Sequence, residues 1–156
     1  MGRPRPRPAL RRPLARMCQN NSEVMVTLAP SLVSRSVELA RWALAQPGGS
    51  AQDAADVISG VAQLLRALCD VGPSGRKAVA GCAAAVRCLA QLLASPLSSA
   101  YARLDAAHAL DRVAASGDAL AALQAVEDEL AQAAAYASPA LAHPLGRVLI
   151  AVAHPH

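Results

Sequence analysis

The sequence predicts an all-α protein built from stacked helical units. Three observations carry that expectation. Apolar residues recur at steps of three, four, seven and eight in one segment after another, which is the spacing of a single helix face. Strand-forming residues are scattered and never alternate cleanly, so the period of two that a half-buried strand requires is missing. Finally, Ala94-Ser95-Pro96 returns as Ala137-Ser138-Pro139, about 43 residues further on, an interval typical of repeated helical units.

At 156 residues the chain suits one domain or a few repeats. Its 54% hydrophobic content contains no Phe, one Trp and two Tyr, so the core must be Ala, Leu and Val. Small side chains let helix axes approach closely, and Ala has the highest intrinsic helix propensity.

Residues 1–21 read as a separate Arg/Pro-rich disordered tail, and 22–156 as the helical domain. Pro4, Pro6 and Pro8 alternate with arginine, which removes backbone donors and favours polyproline-like extension. From about Ser22 to Gln46 a helical region follows, with an expected break at Pro30 and Ser31 capping its second piece. Val33, Val37, Leu39, Ala40, Trp42, Ala43 and Leu44 supply its apolar face, and Pro47-Gly48-Gly49 ends it. Ser50 and Asp53 then open a capping-box-like start, with Asp in place of the preferred Glu or Gln. Val57, Ile58, Val61, Leu64, Leu65 and Leu68 continue it as one unbroken stripe, which Gly72-Pro73-Ser74-Gly75 stops.

A helix from about Arg76 to Ala94 is expected next, bent or tightly packed at Gly81, with Val86, Leu89, Ala90, Leu92 and Leu93 inward. Ser95-Pro96 places a cap before a proline at the first helical position. A short helix from Leu97 to Arg103 is expected to lead into another from Leu104 to Ala115, with Leu104, Ala107, Leu110, Val113 and Ala114 facing the core. Ser116-Gly117 closes that helix and Asp118 caps the next, Ala119 to Ala135, whose stripe is Leu120, Leu123, Val126 and Leu130. The last segment repeats the motif: Ser138-Pro139, a short piece, His143-Pro144, then Leu145, Val148, Leu149 and Val152.

From about Asp53 to Ala135 the chain resembles the armadillo repeat family, with HEAT repeats close to it at this level. Armadillo repeats run short helix, medium helix, long helix, the last opening on glycine. The run from Gly81-Cys82-Ala83 through Val86, Leu89, Leu92 and Leu93 to Ser95 resembles that third helix and its exit. Ala106-Ala107-His108-Ala109-Leu110-Asp111-Arg112-Val113-Ala114 resembles the second helix. Ala67-Leu68-Cys69 and Ala109-Leu110 hold similar places before their turns. The resemblance implies a right-handed α-solenoid, an armadillo-like superhelix of two to three repeats. The last repeat is truncated, stopping at His156 without a third helix, so a piece of a longer repeat protein, or an end covered by another chain, is expected. The family's peptide-binding members clamp a peptide backbone with Trp and Asn on the third helix. Here Trp42 lies outside the repeats and Asn20 and Asn21 lie in the tail, so nuclear-localisation-peptide binding is not carried over.

Charge and motifs narrow the function classes. The net charge of +4 comes from the tail, where Arg3, Arg5, Arg7, Arg11, Arg12 and Arg16 precede the first acid, Glu23. Such a tail suits an organelle transit peptide, a nuclear-import signal or contact with an anionic surface. The domain itself is close to neutral and nearly without aromatics, which argues against a nucleic-acid face or a stacking platform. No segment reaches the ~20 apolar residues of a membrane span, and the Arg-rich start lacks a secretory apolar stretch. A cytoplasmic or nuclear protein is expected, with organelle import as the alternative.

Cys18, Cys69, Cys82 and Cys88 form no C-x-x-C pair. Cys69, Cys82 and Cys88 sit among apolar residues, where a thiol behaves as a small hydrophobe. His108 has Asp105 and Asp111 nearby, but no nucleophile stands at a readable spacing, so a solvent-facing surface is expected. His154-Pro155-His156 is too sparse for a metal site. Phosphate loops and the helical zinc-protease pair are absent. The expectation is therefore a non-catalytic protein with neither cofactor nor metal. It binds a protein or extended peptide along the groove of the third helices, through Arg76, Lys77, Arg87, Gln91, Gln124, Glu127 and Asp128. Self-association through the uncapped C-terminal end is a further expected contact.

Overall fold

The computed structural model describes residues 22–46 and 51–154, and all of its regular structure is helical. The basic tail, Cys18, Pro47-Gly48-Gly49, Ser50 and His156 lie outside the described residues. The elements are α1 (Ser22–Leu44), α2 (Ala51–Val71), α3 (Pro73–Ala80), α4 (Ala83–Ala94), α5 (Ala100–Ser116), α6 (Leu120–Ala125), α7 (Glu127–Ala135) and α8 (Pro139–Ala153).

Four helices follow one another side by side. α1 packs on α2, α2 on α5, and α5 on α8. Among the described residues, α2 makes no extensive contact with α8. The shorter helices form a second tier: α3 lies against α1, α2 and α5, α4 against α1 and α5, and α7 against α4 and α8. The core between the tiers is aliphatic, large Leu and Ile side chains alternating with Ala. Ile58, Leu65 and Leu68 from α2, Val86, Leu89 and Leu92 from α4, and Leu110 from α5 are fully buried, with Ala62, Ala85, Ala106 and Ala107 between them.

The predicted stripes fall mostly where periodicity put them. Ile58, Val61, Leu65 and Leu68 are buried, while Val57 and Leu64 sit half-buried at the stripe's edges. Leu123, Val126, Leu130, Leu145, Val148 and Val152 are buried as expected. On α1 the expectation fails in part. Val33, Val37, Ala40 and Ala43 are buried, whereas Leu39 and Trp42 are 44% and 46% exposed. Those two lie beyond the strip that α2, α3 and α4 cover, because an edge helix has neighbours on one side only.

Breaks depart from expectation more than stripes do. α1 runs through Pro30 without interruption, and α8 runs through Pro144. A proline removes one intrahelical bond and crowds the preceding turn, yet Ala29 and Val33 beside Pro30, and Leu145 and Val148 beside Pro144, are buried in continuous helix. Conversely, the helix expected over Arg76–Ala94 is two helices, α3 and α4, meeting at 85°. Gly81 and Cys82 form the corner, with the Gly81 N–H donating to the Lys77 carbonyl at 2.8 Å and the Cys82 N–H to that of Val79 at 3.1 Å. α3 also starts earlier than expected, with Pro73 in its first turn. The helix expected over Ala119–Ala135 likewise divides at Val126, whose φ of −114° and ψ of 16° lie outside helical values.

The two Ala-Ser-Pro copies do not do the same work. At the first, no short helix forms over Leu97–Arg103. Ser95 Oγ accepts from the Leu97 N–H at 3.1 Å, Ser98 Oγ donates to the Leu92 carbonyl, and Ser99 Oγ caps α5 by accepting from the Ala102 N–H at 3.1 Å. Serine hydroxyls thus offer the backbone alternatives to a helical ladder, and the helix waits until Ser99. At the second copy no serine follows. Pro139 stands at the start of α8, and the Ala142 N–H bonds the Ser138 carbonyl at 2.8 Å. Asp118 is not the cap of the following helix; its N–H donates to Ser116 Oγ at 3.3 Å, and Gly117, at φ +77°, closes α5 in the left-handed conformation.

One glycine is required by packing. A Cβ on Gly75 would overlap the carbonyl oxygen of Leu68, so α3 rests backbone-on-backbone against the end of α2.

Candidate functional site

The residues expected to line a groove occupy three different settings. Arg76 is half-buried, and its Nε donates to the Cys69 carbonyl at 3.0 Å, satisfying an acceptor near the C-terminus of α2. Lys77 is exposed on α3, on the far side of the 85° corner from α4. Arg87 and Gln91 are both exposed, one helical turn apart on α4. Gln124 is exposed near the end of α6, while Glu127 and Asp128 lie in the first turn of α7. There, with Glu129, they face the positive end of the helix dipole. The corner at Gly81 and the kink at Val126 therefore divide what a straight-helix reading treats as two continuous rows.

A concave site lies beside that set. A cavity of about 320 Å³ opens between the end of α4, the first turn of α5, α7 and the start of α8. Leu93 and Ala94 come from α4, and Leu141 from α8. Glu129, Gln132 and Ala133 come from α7 and Tyr136 from the residue that ends it, spaced at steps of three, four and seven, so they point to one side. Arg103 comes from α5. Its Nη2 donates to the Ser95 carbonyl at 2.9 Å, which ties the guanidinium to the turn that the first Ala-Ser-Pro copy makes. Its Nε is sealed from water and has no hydrogen-bond partner. Tyr136 is 88% exposed and stands at the rim.

None of the seven expected residues lines this cavity. The sequence does carry a signal for it, the polar face Glu129, Gln132, Tyr136 opposite the Leu123–Val126–Leu130 stripe. Arg103 leaves no such signal, because its place depends on where α5 begins.

A second polar feature links α2, α5 and α8. Arg66 on α2 pairs with Asp105 on α5 at 2.8 Å and with Asp70 at 3.8 Å. Arg112 pairs with Asp70 at 3.3 Å, and Arg147 on α8 with Asp111 at 3.4 Å. These pairs strap α2, α5 and α8 in sequence, each contributing on the order of 0.2–1 kcal/mol at such exposure. They also engage the two acids beside His108. Burial, then the neighbouring Arg66 charge, lowers the His108 pKa against the opposing pull of Asp111. Asp105 pairs with Arg66 and Asp111 with Arg147.

Burial pushes the Cys69 thiol up to about 12 and the Cys88 thiol to about 11, which keeps both as inert apolar side chains. Cys69, Cys82 and Cys88 are free thiols. Among the described residues no group of His, Cys, Asp or Glu is arranged to hold a metal. No single described helix is long and apolar enough to cross a membrane, and α3 with α4 reaches that length only as a pair bent by 85°. No protein-family model, no curated protein and no solved structure matches the chain.

Proposed function

We propose that the chain is a non-catalytic protein-binding scaffold, an armadillo-like helical stack whose partner lies along the face built by α4 and α7. The observation that carries this reading is the order of packing. α2, α5 and α8 stand side by side in chain order, while α4 and α7 pack on each other in the second tier. Stacks of this kind expose a long face to a partner and concentrate little chemistry at any one point. Arg87 and Gln91 on α4, with Asp128, Glu129 and Gln132 on α7, give that face both charge signs and amide donors. An extended peptide, whose backbone offers donors and acceptors along its length, suits such a surface.

Quantitative affinity capture with the whole chain tests the reading. Arg87→Glu is expected to lose the partner, whereas Gln63→Glu on the exposed side of α2 is expected to retain it. Equal capture by both variants removes the α4–α7 assignment. The Arg-rich tail supports a second reading, an adaptor for nucleic acid or another anionic surface. Deleting residues 1–16 separates the two: the scaffold keeps its partner, while the adaptor loses an affinity that falls steeply with salt.

A further inference from the structure

We infer that the cavity between α4, α5, α7 and α8 binds the free α-carboxylate of an apolar amino-acid residue. A guanidinium offers five N–H donors. In Arg103 one bond goes to the Ser95 carbonyl at 2.9 Å, and Nε is buried without any partner. The Ser95 bond thus fixes the guanidinium of a cation that forms part of the cavity wall. A carboxylate is the acceptor whose two oxygens match a guanidinium edge, and arginine is the side chain suited to that planar pairing.

The opposite charge on the wall sharpens the class. Glu129 lines the same cavity, and it makes no ion pair with Arg103 among the described residues. Two opposite charges that share a small cavity without closing on each other complement a ligand bearing the reverse pair: an anion for Arg103 and an N–H donor for Glu129. An amino-acid residue with a free carboxylate carries both groups on neighbouring atoms of one backbone. A phosphate or other dianion gains Arg103 but meets the Glu129 carboxylate with nothing to offer it. Leu93, Ala133 and Leu141 supply apolar wall for a side chain. The volume of about 320 Å³ lies at the small end for ligand sites, which span roughly 300–1,000 Å³, so it holds one or two residues.

The same chemistry has two sources, the C-terminus of a partner peptide or a free amino acid. The peptide source rests on the reading of the α4–α7 face as a partner surface; the carboxylate site does not. The two are separated by NMR titration of the ¹⁵N-labelled full chain. The signals followed are the Arg103 Nε–H resonance, identified by its loss in Arg103→Lys, and the backbone amides of Gln132, Ala133 and Tyr136.

N-acetyl-L-leucine is expected to shift these signals saturably, and N-acetyl-L-leucinamide, which lacks only the charge, to leave them unmoved. Ala94→Leu extends a larger side chain over the cavity from an exposed position at the end of α4, and is expected to abolish saturation with the fold intact. N-acetyl-Ala-Leu binding more tightly than L-leucine assigns the site to a peptide end. Saturation by L-leucine alone keeps the site, assigns it to a free amino acid, and counts against the peptide-face reading. Equal shifts from the amide, no saturation by any probe, or an unchanged titration in Ala94→Leu overturns the proposal.

Discussion

Replacing Gly75 with alanine tests whether α3 sits where the structure puts it. An added Cβ would overlap the Leu68 carbonyl oxygen and come within 2.9 Å of the Leu68 carbonyl carbon. Both are backbone atoms inside α2, so neither can swing aside as a side chain would. The nearest relief is for α3 to lift away, loosening Val79 and Ala80, which are 0% and 4% exposed. Overpacking of this kind costs about 1–3 kcal/mol, against a helix-propensity gain of about 0.5–1 kcal/mol for Gly→Ala.

The net expectation for Gly75→Ala is therefore a loss of about 1–2 kcal/mol. For a chain of 156 residues, that is a fall in Tm of roughly 2–8 °C. Gly60 is the internal control. It lies mid-helix in α2, exposed, and a Cβ there meets nothing within 4 Å, so Gly60→Ala should stabilise by about 0.5–1 kcal/mol. Thermal unfolding followed by circular dichroism at 222 nm, with urea midpoints alongside, reads both variants. Gly75→Ala matching or exceeding the wild-type Tm would refute the backbone-on-backbone contact and the geometry of the α2–α3 turn with it.

Leu110 is fully buried in α5, where α5 meets both α2 and α8, so Leu110→Ala should cost about 2–5 kcal/mol in urea unfolding; a loss below 1 kcal/mol would contradict a packed core there. Cys82 is half-exposed at the Gly81 corner while Cys69 and Cys88 are buried. Iodoacetamide at pH 8 should therefore modify Cys82 well before the other two in peptide mapping, and equal rates would contradict the burial. The Cys69 pKa is raised to about 12, so the folded state holds its proton longer than the unfolded one. Its contribution to stability is complete below the unfolded thiol pKa and is lost as pH rises from about 9 towards 12. Cys69→Ala should flatten the alkaline fall of the urea midpoint, and an unchanged slope would count against that origin. For His108 the lowered pKa works in reverse: its stability is present above about 6.5 and lost as pH falls, so His108→Gln should blunt acid sensitivity between pH 7 and 5.

What the sequence makes legible is periodicity. The α2 stripe is read from Ile58, Val61, Leu65 and Leu68 alone, because a helix buried on one face must repeat its apolar residues at that spacing. Junctions are less legible. Ser95-Pro96 and Ser138-Pro139 are alike in sequence, but only the first is followed by Ser98 and Ser99, whose hydroxyls redirect the backbone into a turn. Pro30 and Pro144 look like breaks, yet both helices run through them, with Ala29 and Val33 buried beside Pro30 and Leu145 and Val148 beside Pro144. The 85° corner is signalled only by Gly81, which marks a place for a bend without giving its size.

The candidate site follows the same division. Glu129, Gln132 and Tyr136 share a face that helical spacing makes visible. Arg103 belongs with them only because α5 starts at Ala100 rather than Leu104, and because Ser95 turns its carbonyl towards the guanidinium. Side chains brought together by a junction cannot be read from periodicity within either helix.

Site-specific photo-crosslinking tests the scaffold reading most directly. A photoreactive residue placed singly at Gln91 on α4, Gln132 on α7 or Gln63 on α2 reports which surface touches a captured partner, independently of any loss of affinity. The α4–α7 assignment predicts one common crosslinked partner from Gln91 and Gln132, and none from Gln63. Crosslinking from Gln63 with silence at Gln91 and Gln132 would contradict it.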